Sequence, residues 1–228
     1  MRDVLWPRLG RAAWLAFAAH LTAGLAMALI LRHGLETNAD LADRLRFVAQ
    51  RRLLWTTGWI TWTVAAVTIL NFYARFAAAH RSRGASPAPL RTAVVLTVAA
   101  VGADWTAQSF EMFVLPGLAR AGNTAGFLAW HRAAVLLTGF LANGLYTIAA
   151  LLLVWASRHA YPRWIQMAGF GVVAGGSILS AMAWADSAVG MLLANVLLVP
   201  SLLVWLAGVA RGPTGHGRDQ GGDTGRGG

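Results

Sequence analysis

The 228-residue chain contains no cysteine and no lysine. Without a thiolate it cannot form disulfides, thiolate zinc sites, cysteine-held iron–sulfur clusters or covalent c-type haem links. Without a lysine amine it cannot form a Schiff base, which excludes retinal-type photochemistry. Charge is also scarce: charged residues make up 12% of the chain and apolar residues 57%, a balance expected of a bilayer-embedded protein. The net charge of +10 is the excess of 19 arginines over nine acidic residues, and those arginines flank apolar runs instead of forming one basic stripe. Anionic lipid headgroups are therefore the expected partner, and nucleic acid is not.

What is present in quantity is hydrophobic sequence. Apolar stretches fall at 12–31, 53–73, 92–117, 133–156, 164–184 and 187–209, each near the roughly 20 residues a helix needs to cross hydrocarbon. Backbone N–H and C=O groups find no water there, so each stretch is expected to be helical. The fold class is an all-α polytopic transmembrane bundle of six spans occupying 1–211. Trp14, Trp55, Trp130, Trp155, Trp164, Trp184 and Trp205 lie near proposed boundaries, as an interfacial belt requires. Twelve arginines fall on the side of the N-terminus against seven on the other, which predicts both ends in the cytoplasm.

Five of the seven opposing arginines lie in 32–52, where Leu41, Leu45 and Val48 recur at helical spacing after a possible cap at Asn38. That segment is read as an interfacial helix over 38–52, with a solvated loop as the alternative. The first span follows Arg2, Arg8 and Arg11 as a secretory signal would. Its length and lack of an A-x-A-like site favour a retained helix. The Gly-rich tail 212–228 is expected to be disordered and cytoplasmic. Ala103-Asp104 leading to Leu115-Pro116 faintly matches Ala185-Asp186 leading to Val199-Pro200, the pattern of an inverted repeat.

Ionisable groups within the third span carry the functional reading. At 100° per residue Thr97, Asp104, Gln108 and Glu111 fall within an arc of about 60° and so share one face. A carboxylate at a helix centre costs about 2.5–3.5 kcal/mol on insertion scales, and such residues generally serve function or pair with a neighbour. His33, His131, Arg132 and Asp186 approach from the same half of the bundle. Together they outline an outward-facing polar cavity, with Asp104 deepest and Glu111 nearer the mouth.

Trp55, Trp59 and Trp62 form an aromatic face of the second span, read as belt or packing near Trp55 with Trp62 deeper, while Thr57, Thr61, Thr68 and Asn71 form the opposite, hydrogen-bonding face. Gly171 and Gly175, with Gly176 and Ser180 one position round, give small-x-x-x-small faces suited to packing inside the bundle. Pro200 predicts a kink or freed carbonyl in the last span. His33 and His131 with Glu111 could meet as a metal site, but the pattern does not call for a metal or any other cofactor.

The stretch 47–76, with Leu54-Trp55, Gly58-Trp59 and Trp62 opening the helix, resembles the second span of uncharacterised six-helix integral membrane proteins of bacteria. The resemblance implies a multi-pass protein of the bacterial inner membrane and transfers no site residue. Three functions stay open: small-solute or proton-coupled transport; a membrane enzyme acting on a lipid or isoprenoid with the same carboxylates as acid and base; and a non-catalytic sensor or interaction partner. No G-x-S-x-G, H-E-x-x-H or phosphate-binding loop occurs, so the balance is against catalysis without closing it.

Overall fold

The computed structural model describes residues 2–212. Among these the chain forms seven helices, six of them long and apolar enough to cross a membrane. They are α1 (Arg2–Leu29), α2 (Leu41–Gln50), α3 (Arg52–Arg81), α4 (Pro87–Arg120), α5 (Thr124–Ala156), α6 (Arg163–Trp184) and α7 (Ala188–Ala210). A short 3-10 turn, Leu31–His33, follows α1. The tail expected to be disordered lies, apart from Gly212, outside the described residues.

Each spanning helix packs on its sequence neighbour, and α1 also packs on α7. The six spans therefore close into a ring in chain order. An even number of crossings returns the last helix to the starting side, and the backbone shows it: a Cβ placed on Gly10 would lie 3.1 Å from the carbonyl oxygen of Ala210. The half of the ring nearest the two termini is filled by a core that includes Phe72, Phe76, Leu153, Trp205 and Leu206. The other half is not filled, and its polar side chains face a cavity.

Several helices run beyond the apolar stretches and end in charged residues, as at Arg52 and Arg81 of α3. The largest correction is at α5, which starts at Thr124 where Asn123 accepts a hydrogen bond from the Gly126 amide, nine residues before the expected 133. His131 and Arg132 thus lie inside a spanning helix, not at its start. The expected interfacial helix over 38–52 is shorter and capped elsewhere: Asp40 accepts from the amides of Ala42 and Asp43, while Asn38 accepts from Asp40 in the preceding turn. Helix α2 packs on the end of α4, with Val48 and Arg44 buried.

The tryptophans divide. Trp14, Trp130, Trp155, Trp164 and Trp184 are exposed, as a belt requires, whereas Trp55 and Trp205 are core residues. Asp104 is buried in mid-helix, but Asp186 occupies an exposed turn with φ 58°. The two halves of the supposed repeat are therefore not equivalent there.

Small residues set the helix spacing. A Cβ on Gly175 would lie 2.8 Å from both the Cα and the backbone nitrogen of Leu198, so α6 and α7 meet backbone to backbone. Gly171 meets Ser201 on the same seam, and Asn143 of α5 donates to the carbonyl of Gly176 at 2.7 Å and to Ser180 Oγ at 2.8 Å. The glycine stripe packs within the bundle, as its spacing implied. Replacing Gly175 with Val should cost about 1–3 kcal/mol through overpacking. Gly102→Ala, where a Cβ meets no atom within 4 Å, should be neutral or slightly stabilising. Thermal unfolding of both variants in detergent checks this, and equal midpoints would contradict the close approach.

Candidate functional site

The stripe on α4 turns inward as its periodicity requires: Thr97, Asp104, Gln108 and Glu111 are all buried, and the last three line the cavity. The regular helix does not survive the whole stripe. Residues Phe110–Val114 form a π-helical turn, in which the amide of Leu115 bonds to the carbonyl of Phe110. Sequence accounts for this, because Pro116 lacks an N–H and its ring would clash with the carbonyl four residues back. In the widened frame the group that should satisfy the Glu111 carbonyl is the missing N–H of Pro116. Trp55 of α3 supplies it instead, its Nε1 donating to the Glu111 carbonyl at 2.7 Å. Trp55 is thus fully buried and anchors the backbone under Glu111, which corrects its reading as a belt residue.

His131 of α5 lies between two carboxylates. Its Nδ1 is 3.0 Å from Glu111 Oε1, and its Nε2 is 2.6 Å from Glu36 Oε2. Glu36 comes from the connection after α1, which also contributes Gly34, whose carbonyl accepts from Arg44 Nε at 3.2 Å. Arg44 itself sits over the Phe127 ring, 5.9 Å from its centroid. A ring nitrogen and a carboxylate oxygen share a hydrogen bond only through a proton. Two such bonds require two protons along the Glu36–His131–Glu111 line, leaving the three groups with one net negative charge that Arg44 balances. Burial pushes the Glu36 carboxyl up, but the hydrogen bond and charge of His131 outweigh it, and the net direction is down. Burial lowers the Arg44 guanidinium, opposed by the charges of Glu36 and Glu111.

Asp104 lies seven residues before Glu111, about 10 Å along a helix axis. It accepts from Thr138 and, at 3.4 Å, from Tyr146. Thr138 belongs to a second π-helical segment, Leu136–Ala142 in α5. Both irregular turns therefore contribute side chains to the cavity, a placement common at functional sites. Between the two acids, Gln108 accepts from Thr63 at 2.6 Å. That bond replaces the one expected from the Thr57–Asn71 face of α3, whose Thr61 and Thr68 bond to carbonyls of their own helix.

The cavity has a volume of about 1240 Å³. It begins among the residues after α1, including His33, Glu36 and Asn38, and reaches Tyr73 and Tyr146 at depth. Beyond them Phe72, Phe76 and Trp205 close it with edge-to-face aromatic contacts. Trp59 and Trp62 line its wall, and each leaves a buried indole N–H without a partner, as Glu111 leaves its Oε2. His33 sits at the mouth, its ring 5.4 Å from that of Phe47. No group of three or more residues among those described has a metal-holding arrangement.

Two expected contributors lie elsewhere. Arg132 bonds to Asp186 at 2.8 Å and to the carbonyls of Ala183 and Trp184 at 2.7 and 2.8 Å. It caps the C-terminal end of α6, where a cation is favourable, and neither it nor Asp186 lines the cavity. Conversely, Glu36, Arg44, Thr138 and Tyr146 were not singled out from sequence. The acid in the segment after α1 was the one available signal. Comparison of the chain with known protein families, with curated proteins and with solved structures finds no match.

Trp55→Phe keeps the ring but removes the donor to Glu111, and should cost about 1–3 kcal/mol as a buried carbonyl loses its partner. Chemical or thermal unfolding in detergent measures it, and an unchanged midpoint would show that the bond does not hold the turn. Because the Glu36 carboxyl is held below its ordinary range, its contribution to stability is present above that range and is lost as pH falls through the lowered value. Glu36→Gln should therefore flatten the acid limb of the stability profile, which pH-dependent unfolding reads directly.

Proposed function

We propose that this chain is a transport-type membrane protein that couples protonation of an intramembrane cavity to the handling of a small molecule. The observation that carries the reading is His131 held between Glu36 at the cavity mouth and Glu111 within the spanning region. A proton arriving at one carboxyl has an imidazole that can accept it on one nitrogen and release another from the opposite nitrogen. Gln108, Asp104 and Tyr146 continue the polar wall inward. The aromatic closure below them fits a protein open on one side and sealed on the other. The arginine distribution supports a cytoplasmic location for both termini and an outward-facing mouth. The resemblance of residues 47–76 supports placing the protein in a bacterial inner membrane.

A second reading, an enzyme acting on a lipid, is favoured by one specific feature. Helices α1 and α7 both present apolar residues that line the cavity and are more than half exposed, among them Leu25 and Val196, as an opening toward lipid would require.

Proteoliposomes on a solid-supported membrane, subjected to a pH jump, separate these outcomes. The wild type should give a proton-dependent charge displacement that His131→Gln and Glu111→Gln abolish. Equal displacement in all three would reject the transport reading. Chemical conversion of a lipid without charge displacement would favour the enzyme.

A further inference from the structure

The cavity wall between α1 and α7 differs from the rest. Leu21, Leu25 and Ala28 on α1 recur at helical spacing, as do Leu192, Val196 and Val199 on α7, and all six line the cavity. The two helices touch where a Cβ on Gly24 would lie 3.8 Å from Val199 Cγ1. Yet Leu25, Leu192 and Val196 are 53%, 54% and 67% exposed. Residues that both line a cavity and remain this exposed border an opening. Its edges are mainly apolar, since the two polar residues there, His20 on α1 and Asn195 on α7, bond to carbonyls of their own helices, Ala16 and Met191; the medium such an opening suits in a bilayer is acyl chain. Pro200 adds to this wall, because its missing N–H leaves the carbonyl of Val196 without its intrahelical donor.

Opposite that opening lie the acids. Asp104 and Glu111 are the acids of α4 that line the cavity; Arg32 also lines it, whereas Arg44, which balances the charge of the Glu36–His131–Glu111 line, does not. Asp104 is served by two hydroxyl groups. Glu111, 1% exposed, has one oxygen on His131 and leaves the other without a partner. An unpartnered carboxylate oxygen buried on a residue of the cavity wall favours a hydrogen-bond donor, and most strongly a charged one. Trp59 and Trp62 line the same cavity, and aromatic side chains of this kind attract a cation.

We propose that the cavity receives a long-chain amphipathic amine laterally from the bilayer, its protonated amino group against Glu111 and its chain lying in the α1–α7 opening. This deepens the transport reading by naming the class of molecule handled, and it rests on the same cavity. The headgroup replaces membrane-depth solvation with a carboxylate and aromatic faces, while the chain never leaves an apolar medium. Such a ligand satisfies both the unpaired oxygen and the apolar slit, whereas a small hydrophilic cation satisfies only the first.

Calorimetric titration of the full chain in nanodiscs, with empty nanodiscs as reference, tests this with dodecylamine, dodecanol and butylamine. Dodecylamine should bind saturably. Dodecanol, butylamine and dodecylamine with the Glu111→Gln protein should each bind at least about tenfold more weakly. Dodecanol binding as tightly as dodecylamine, or Glu111→Gln leaving the affinity unchanged, overturns the proposal. Ala28→Trp, which narrows the slit and leaves the acids untouched, should slow dodecylamine association in stopped-flow quenching of tryptophan fluorescence. An unchanged rate in a folded Ala28→Trp protein rejects lateral access. Binding is read at one pH without a gradient, so loss of the charge displacement would leave this result standing, and absence of binding with the displacement intact would remove only the amine.

Discussion

An imidazole clamped between two carboxylates is the constraint around which the half of this bundle away from the termini is arranged. Placing ionisable groups in a low-dielectric region is costly unless each is paired and hydrogen-bonded. Here the burden is shared across four segments: Glu111 from α4, His131 from α5, Glu36 from the connection after α1 and Arg44 from α2. The role of α2 follows from this arrangement. It packs on the end of α4, and its buried arginine brings the charge that balances the trio.

The same constraint explains the irregular backbone. Pro116 prevents a regular last turn in α4, the π-helical frame re-aims Glu111, and Trp55 fills the hydrogen bond that the proline cannot make. A corresponding widening of α5 brings Thr138 onto Asp104. Away from these turns the helices are regular and close-packed on glycine, with α6 and α7 in backbone contact at Gly175. The ring thus combines a tightly packed half near the termini with a hollow half that holds the polar groups.

Much of the architecture was legible because hydrocarbon leaves the backbone few choices. The six spans follow from apolar length, and the inward face of α4 follows from the 100° step between residues. The partners of that face were harder to read. Glu36 lies outside any span, where an acid ordinarily meets water, and nothing local signals that it folds back onto His131. His131 was displaced to a helix end because apolar length underestimates a helix that begins with the polar cap Asn123. Trp55 lies at a boundary by sequence position, so the belt rule applied, but the need of one carbonyl 56 residues away decided its burial. Arg132 and Asp186 were assigned to the right half of the bundle but not to the right task. Both are drawn to the exposed carbonyl end of α6, an attraction that depends on where α6 stops.

The central claim is that both ring nitrogens of His131 are engaged by carboxyl groups and that two protons are shared along the line. Nitrogen-15 solid-state NMR of histidine-labelled protein in lipid bilayers, with the His131 signals assigned by their loss in His131→Gln, measures this most directly. Both ring nitrogens should show the shifts of strong hydrogen bonds to carboxyl oxygens, with through-space correlations to the carboxyl carbons, and Glu36→Gln should perturb the Nε2 resonance far more than Nδ1. A His131 ring with one nitrogen hydrogen-bonded only to water, or indifferent to the loss of the Glu36 carboxylate, would contradict the account.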